Sequence, residues 1–261
     1  MAFDRQFHSL EDYLTSTMSD VDGVLDDGGG AGFPVKGREI EATVLFADIT
    51  GFSTRTLSLS PAATLIFVQN FFAWITAEAL DGRPGIVDKY IGDEVMVVFS
   101  AEFGSVDPFA DAVQAAAAMS RHDPLAYQPH IGIASGPVIV GYAGTAFRYN
   151  VSVFGEPVAL AARCAAVKPD DLTSRVYSNI VMPAVEWGER DLSVVVPPAG
   201  DESTYPRFEL QGTRDVPMKG LGTVSVREIY NTSFWTPSIS ATDRAEAGLK
   251  FLQANGRYWP R

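Results

Sequence analysis

The sequence predicts an α+β fold, a sheet with helices packed on it, built around a ferredoxin-like βαββαβ unit. Over residues 39–167, β-prone apolar runs and helical patterns follow in the order strand, helix, two strands, helix, two strands, helix. Ser60-Pro61 and Asp107-Pro108 each combine a capping side chain with a proline, which marks the start of a helix. Two apolar runs separated by a glycine–aspartate turn predict a hairpin.

A short amphipathic helix is predicted near the beginning of the chain, where apolar side chains recur at helical spacing. They are Phe7, Leu10, Tyr13 and Leu14. The acidic, glycine-rich stretch 20–32 predicts a flexible linker. We therefore expect an N-terminal helix and linker over 1–38, a main domain over 39–231, and a tail over 232–261 with one helix at 241–252.

The main domain divides into further predicted elements. Strands are expected at 43–47, 86–91, 95–99, 129–135 and 138–142, the last two joined through Gly136-Pro137. Helices are expected at 61–80, 108–121 and 157–167. Beyond residue 174 the pattern is looser, with short strands predicted at 174–178 and 194–196 and a strand pair at 207–210 and 224–230.

Charge and composition exclude some classes of partner. The formal net charge of −12 disfavours binding to nucleic acid or to an anionic membrane surface. A nucleotide substrate stays possible, because metal ions screen a triphosphate locally. The single cysteine, Cys164, permits no intrachain disulfide and favours a reducing compartment. We see no apolar run near the ~18 residues of a membrane helix and no signal peptide, so we expect a cytoplasmic protein.

Two aspartates stand beside β-prone apolar runs. Asp48 follows the run 43–47, and Asp93 lies in the predicted hairpin turn. If the hairpin lies beside the first strand, the carboxylates converge, and close carboxylates repel unless they share a proton or a cation. Oxygen ligands suit Mg²⁺ or Mn²⁺, and two metals clamp the attacking and leaving oxygens of a phosphoryl displacement. Each aspartate alone is more typical of a cap or turn; the matching flanks favour the pair.

Five stretches, in order, resemble the class III nucleotidyl cyclase catalytic domain, the domain of adenylyl and guanylyl cyclases. They are LFADITGF, DKYIGDEVMVVF, GIASGPVIVGYAG, VFGEPVALAAR and PMKGLGTVSVREIY, within about residues 40–230. The resemblance implies that a ribose 3′-hydroxyl attacks the α-phosphorus of a nucleoside triphosphate and pyrophosphate leaves. It also implies that Asp48, Asp93 and the backbone carbonyl of Ile49 hold two Mn²⁺ or Mg²⁺ ions per active site.

Further roles are carried over by position. The resemblance implies that Arg163 stabilises charge on the α-phosphate, that Lys219 contacts the triphosphate, and that Lys89 reads the base in adenylyl cyclases. Phe52 and the backbone of 49–52 would cradle phosphates. In the family the active site forms between two subunits, one supplying the metal aspartates and the other the base pocket and the arginine. The chain carries both sets, which implies a head-to-tail homodimer with two sites.

The base and ribose positions depart from the purine cyclases. Ser152 stands where they carry a base-reading aspartate or threonine, Ala159 replaces the ribose-orienting asparagine, and Pro137 replaces a frequent arginine. The altered pocket resembles the bacterial pyrimidine cyclases of antiphage (Pycsar) signalling, whose cyclic UMP or cyclic CMP activates a separate effector protein. There the Ser152 region and Phe154 would face a smaller base.

Three functions are therefore weighed. The first is a pyrimidine cyclase, with UTP favoured over CTP. The second is an ordinary adenylyl or guanylyl cyclase, which Lys89 favours if it reads a purine rather than pairing with Asp88 or a carbonyl. The third is a catalytically inactive nucleotide-binding or dimerisation module.

Overall fold

The computed structural model describes residues 6–17, 37–121, 123, 127–145, 147–169, 176, 178–197 and 208–232. In this part of the chain one sheet contains the strands β1 (Gly37–Asp48), β2 (Gly85–Ile91), β3 (Glu94–Phe99), β4 (His130–Thr145), β5 (Arg148–Phe154), β6 (Ser178–Pro183), β7 (Phe208–Leu210), β8 (Arg214–Met218) and β9 (Gly222–Asn231). The α-helices are α1 (Leu10–Ser16), α2 (Phe52–Thr56), α3 (Pro61–Leu80), α4 (Pro108–Arg121), α5 (Glu156–Ala165), α6 (Ala184–Trp187) and α7 (Leu192–Val195).

The sheet order confirms the predicted α+β fold. Strands lie in the order β2-β3-β1-β4-β6-β9-β7, with β5 paired to β4 and β8 paired to β9. β1 lies between β3 and β4 and is antiparallel to both. With α3 and α4 as its two crossover helices, the unit β1-α3-β2-β3-α4-β4 has the ferredoxin-like arrangement.

The two helix starts predicted from capping signals are both present. α3 begins at Pro61, and the side chain of Ser60 accepts a hydrogen bond from the Ala63 backbone N–H at 3.2 Å. α4 begins at Pro108, and Asp107 Oδ1 accepts from the Ala110 N–H at 3.0 Å. Each cap satisfies a backbone donor that the first turn of a helix leaves without a partner.

β1 is buried on both faces, as its continuous apolar run predicts. Leu45 and Ala47 belong to a core covered by α3 and α4, whereas Val44 and Phe46 belong to a second core shared with α1 and α5. Because side chains alternate along a strand, Asp48 continues the row of Val44 and Phe46 and lies on the α5 face of the sheet.

α1 closes the second core, so the predicted N-terminal helix is present and docked. Tyr13 and Leu14 are fully buried. The Tyr13 ring makes edge contacts with Phe7 and Phe103, at centroid distances of 5.2 and 5.1 Å. The Tyr13 hydroxyl donates to Glu102 Oε2 at 3.3 Å. Burial, with the nearby Glu102 charge, raises the pKa of Tyr13 to about 12.

The expectation that no apolar run is long enough to cross a membrane was wrong for α3. This helix has 20 residues and, by length and composition alone, is apolar enough to cross a bilayer. In the structure Phe67, Phe71 and Ile75 of α3 are fully buried in the first core. Packing against the sheet therefore accounts for the apolar side chains on the buried face of α3.

Two strand predictions were wrong around residues 129–154. The strands expected at 129–135 and 138–142 are the single strand β4, which continues through Gly136-Pro137. Pro137 lies in a stretch that β1 alone pairs, since β6 pairs with 130–132 and β5 with 139–145. A proline without an N–H is tolerated where one strand edge is unpaired. β5 was not predicted at all, and its pairing with β4 is what extends β4 to Thr145.

The later part of the domain is partly as predicted. The strand expected at 194–196 is wrong, because residues from Leu192 to Val195 form α7, whose cap Asp191 accepts from the Ser193 N–H at 2.9 Å. Of the strand predicted at 174–178, residues 174, 175 and 177 lie outside the described residues, and the described strand β6 begins at Ser178. The pair at 207–210 and 224–230 is confirmed by β7 and β9. The linker 20–32 and the helix 241–252 lie outside the described residues.

Candidate active site

The hairpin turn lies beside the end of β1, as the convergence of Asp48 and Asp93 requires. β3 pairs with β1 so that Asp48 is opposite Glu94, the residue after Asp93. Gly92 has a φ of 63°, a left-handed conformation that glycine adopts without steric cost and that closes the β2–β3 turn. Asp93 is therefore held at the same edge of the sheet as Asp48.

The two carboxyl groups are in hydrogen-bonding contact. Burial, followed by the hydrogen bond and charge of Asp93 and the charge of Glu94, raises the pKa of Asp48 to about 8. Burial and the Asp93 charge also raise the pKa of Glu94. Asp48 Oδ1 is buried with no hydrogen-bond partner. A partnerless buried oxygen beside a second carboxylate fits a divalent cation with oxygen ligands, which would offset the repulsion.

The segment after Asp48 forms a tight turn. Gly51 has a φ of 66°, and the Phe52 backbone N–H donates to the Ile49 carbonyl at 3.3 Å. The Phe52 ring is half-buried and stacks on Phe67 at a centroid distance of 6.5 Å. The Phe52 side chain thus packs toward the core, so that the backbone of 49–52 is what remains for contact with phosphates.

Metal-binding side chains are few at this site. Within the described ranges, no group of three or more His, Cys, Asp and Glu side chains could hold a metal ion. A metal here would therefore depend on the two aspartate side chains, a backbone carbonyl and oxygens from substrate or water. Mg²⁺ is commonly bound in this way, by one or two carboxylates plus substrate phosphates.

The predicted base-contacting residues come together on β2 and β5. The Lys89 ammonium donates to Ser152 Oγ, and Ser152 Oγ donates to Asp88 Oδ2 at 2.8 Å. Lys89 Nζ also lies 3.4 Å from Asp88 Oδ2, and Asp88 is a fully buried side chain. Lys89 Nζ is 6.0 Å from the centre of the Phe154 ring, which is 45% exposed. Lys89, Ser152 and Phe154 thus form one cluster.

Asp88 also belongs to this cluster. From the sequence alone, Asp88 is predicted only as a residue with which Lys89 could pair, and not as part of the base-contacting site. The β2–β3 register shifts between Val87 and Lys89, as at a β-bulge. A bulge lets two consecutive residues approach the same face, so both Asp88 and Lys89 reach Ser152. Burial raises the pKa of Asp88, and the Ser152 hydrogen bond and Lys89 oppose that rise. Only the strand register, not the local sequence, indicates this position.

Arg163 and Lys219 are both on the surface of the described chain. Both side chains are exposed, Arg163 on α5 and Lys219 in the β8–β9 turn. For the described part of the chain, the structure shows no contact of either with Asp48 or Asp93. Leu160 on α5 and Leu221 after Lys219 line one groove of about 380 Å³, so the elements that carry the two basic residues border the same depression.

The position of α5 depends on a close approach to β4. A Cβ atom at Gly132 would lie 2.0 Å from the Ala161 backbone carbonyl, so only glycine permits this packing. Cys164, next to Arg163, is fully buried, and burial raises the pKa of its thiol to about 12. Cys164 is thus a packing residue. α5 is fixed by its close packing on β4, and Arg163 lies on the exposed side of this helix.

His130, at the start of β4, makes contacts that connect neighbouring strands. It is opposite Asp48 in the β1–β4 register, and its Nδ1 hydrogen-bonds Asn179 Oδ1. Asn179 Nδ2 in turn donates to the Val167 carbonyl at 2.9 Å. Burial lowers the pKa of His130, so a neutral imidazole connects β4 with β6 behind the site.

Comparisons with known proteins agree with this geometry. Residues 35–178, over half of the chain, match the family model of the adenylate and guanylate cyclase catalytic domain. The uncharacterized protein Rv1319c of Mycobacterium tuberculosis is 34% identical over 159 residues, covering 59% of this chain and 29% of that protein. Mb1352c of Mycobacterium bovis is 35% identical over 130 residues, covering 49% and 24%. The chain thus matches less than a third of the length of these relatives.

Solved structures share the fold. The adenylyl cyclase CyaB from P. aeruginosa superposes with a TM-score of 0.58 at 21% identity, covering 76% of this chain and 97% of that chain. The guanylate cyclase domain of RhGC from Catenaria anguillulae, solved with GTP, gives 0.55 at 20% identity, covering 75% and 100%. On the family match, with the fold in agreement, the chain belongs to the adenylate and guanylate cyclase catalytic-domain family.

Proposed function

We propose that this chain is a nucleotidyl cyclase that converts a pyrimidine nucleoside triphosphate, UTP in preference to CTP, to the 3′,5′-cyclic nucleotide and pyrophosphate. One observation carries the proposal of catalysis. The Asp48 and Asp93 carboxyl groups meet at the end of β1, and Asp48 Oδ1 is buried without a partner. A catalytically inactive module would have no reason to keep this unfavourable pair.

Asp48, Asp93 and the Ile49 carbonyl would hold two divalent cations, Mn²⁺ or Mg²⁺. When bound, such ions lower the pKa of an attacking hydroxyl and neutralise charge on the leaving phosphate. Asp48 itself must lose its proton to act as a ligand, and the positive charge that replaces the proton also offsets the repulsion from Asp93.

Arg163 and Lys219 would serve the site of a second copy. Their exposure, with no contact to the aspartates among the described residues, fits a head-to-tail homodimer in which each site draws on both chains. Asp48 and α5 lie on the same face of the sheet, which is the face a partner would cover. Arg163 is permanently protonated and can fork onto phosphoryl oxygens, while Lys219 would contact the departing phosphates.

The choice of base rests on the cluster around Lys89. Ser152 is buried, donates its proton to Asp88 and accepts from Lys89, so the partly exposed Lys89 is the member of this pair that can donate to a base. The O4 carbonyl of uracil would accept that hydrogen bond. Phe154 offers a partly exposed ring for stacking. The ribose position carries Ala159 in place of an amide, so the pocket differs from that of the purine cyclases while the metal pair is kept.

A purine substrate is the second candidate. Lys89 also suits the N1 of adenine or the O6 of guanine, and the two solved structures above are named as an adenylyl and a guanylate cyclase. Purified protein incubated with Mn²⁺ and each of the four triphosphates separately, with products identified by mass spectrometry, tests both. We expect cyclic UMP. Turnover of ATP or GTP alone would overturn the base assignment, and no product from any triphosphate would indicate an inactive module.

The wider role we propose is antiphage signalling in the cytoplasm, with the cyclic nucleotide read by a separate effector. This part rests on the resemblance of the altered base pocket to the Pycsar cyclases. Cyclic UMP measured in cells that express the chain should rise on phage infection, with Asp93→Ala as the matched control. A level that stays constant through infection would contradict the signalling role without touching the chemistry.

A further inference from the structure

Gln128 has an unusual backbone conformation next to the candidate metal site. Its φ of 54° makes it the one non-glycine residue with a left-handed backbone among the residues that the structure describes. It precedes Pro129, and His130 after it is the register partner of Asp48. A long side chain in this region persists only where its surroundings hold it, and such residues cluster at functional sites.

Hydrogen bonds to Asp123, and the packing of Tyr127 on α3, hold the left-handed backbone of Gln128 in place. The backbone N–H groups of Tyr127 and Gln128 donate to the Asp123 carboxylate at 3.0 and 2.7 Å. Tyr127 is fully buried, stacks on Trp74 at a centroid distance of 5.4 Å, and donates its hydroxyl to the Phe67 carbonyl at 3.2 Å. Gln128 is therefore anchored to the core on one side.

The other polar groups of Gln128 contact the segment that follows Asp48. We define the β1–α2 segment as residues 49–56. The Gln128 carbonyl accepts a hydrogen bond from the Thr50 hydroxyl. The side-chain oxygen of Gln128 accepts from Arg55 Nη2 at 2.8 Å. One residue thus contacts the β1–α2 segment near both of its ends.

We propose that Gln128 is a positioning residue, which holds the β1–α2 segment so that the Ile49 carbonyl and its neighbouring backbone face the metals and the triphosphate. The inference rests on the proposed function, which assigns the segment to those ligands. The left-handed backbone is needed for this role, because a rotation of Gln128 to an extended conformation would turn its carbonyl away from Thr50.

Gln128→Asn tests the inference from one side and Arg55→Met from the other. Asparagine tolerates the left-handed conformation but is one methylene too short for the Arg55 bond. In each variant we expect amide hydrogen exchange of the β1–α2 segment to rise with no change elsewhere. The half-saturating Mn²⁺ concentration, measured by electron paramagnetic resonance with inorganic tripolyphosphate present, should rise about 10-fold.

The double variant should be no worse than either single one, because both remove the same hydrogen bond. Gln211→Asn, between β7 and β8, is the matched control and should change neither quantity. Unchanged Mn²⁺ affinity in both single variants would overturn the inference, as would faster exchange throughout the domain. If the unaltered protein binds no Mn²⁺ while exchange rises in the segment alone, the metal site of the proposed function fails and the holding role of Gln128 stands.

Discussion

At the scale of single residues, the pair of Asp48 and Asp93 is an unfavourable arrangement when no counter-ion is bound. Burial of Asp48 opposes its ionisation, and Asp93 adds a like charge. The same physics explains why the pair suits cations and why it costs stability in their absence. Removing one member therefore has opposite consequences for catalysis and for folding.

Asp93→Ala should lower cyclase turnover by about 100-fold or more. The reason is that Asp93 is one of the two carboxylates that would hold the metal ions at the reacting phosphate. The metal-free variant should unfold at no lower temperature than the unaltered protein, since the repulsion on Asp48 is gone. Turnover with Mn²⁺ and thermal unfolding in a chelator measure the two effects. Asp81→Ala, at the exposed end of α3, is the control. Near-normal turnover of folded Asp93→Ala would contradict the assigned site.

At the scale of elements, α1 stabilises the domain through one buried phenol. The folded-state pKa of Tyr13, about 12, exceeds the ordinary tyrosine pKa of 10.0. The unfolded chain therefore loses this proton first as the pH rises, and the stabilisation is complete below pH 10 and lost between 10 and 12. The loss should amount to at most roughly 3 kcal/mol.

Tyr13→Phe tests this contribution of α1. Urea unfolding at pH steps from neutrality to strong alkali should show a shallower decline of the free energy of unfolding in the variant, because phenylalanine carries no proton to lose. Other tyrosines titrate in both proteins and cancel in the comparison. If the free energy of unfolding falls equally with pH in both proteins, Tyr13 is not the group whose ionisation destabilises the fold.

Elements differed in how well local sequence predicted them. α3 and α4 follow from capping residues beside prolines, and the β2–β3 hairpin follows from Gly92, because each signal lies within a few residues. β5 and the full length of β4 depend on a pairing across the sheet that no local pattern encodes. The same limit applies to the site. Asp48 and Asp93 were predictable from their flanks, whereas the reach of Asp88 to Ser152 depends on a bulge and a crossing strand.

At the scale of the whole molecule, the exposed Arg163, which makes no contact with Asp48 or Asp93 among the described residues, leads to a prediction about assembly. An Asp48→Ala chain and an Arg163→Ala chain are each expected to be inactive as homodimers. Mixed under conditions that allow exchange, they should regain activity, because each heterodimer contains one intact site. Turnover of the mixture against either variant alone measures this. Folded, exchanging variants that fail to complement would contradict a site shared between copies.

The burial of Cys164 has a practical consequence for that assembly. A buried thiol with a pKa of about 12 does not react with alkylating reagents at neutral pH. Any cysteine introduced on the surface would then be the reactive one, and Phe147, fully exposed at the tip of the β4–β5 hairpin, offers such a place. A nitroxide spin label attached there would report the distance between position 147 of two copies. Cys164 would not have to be replaced first.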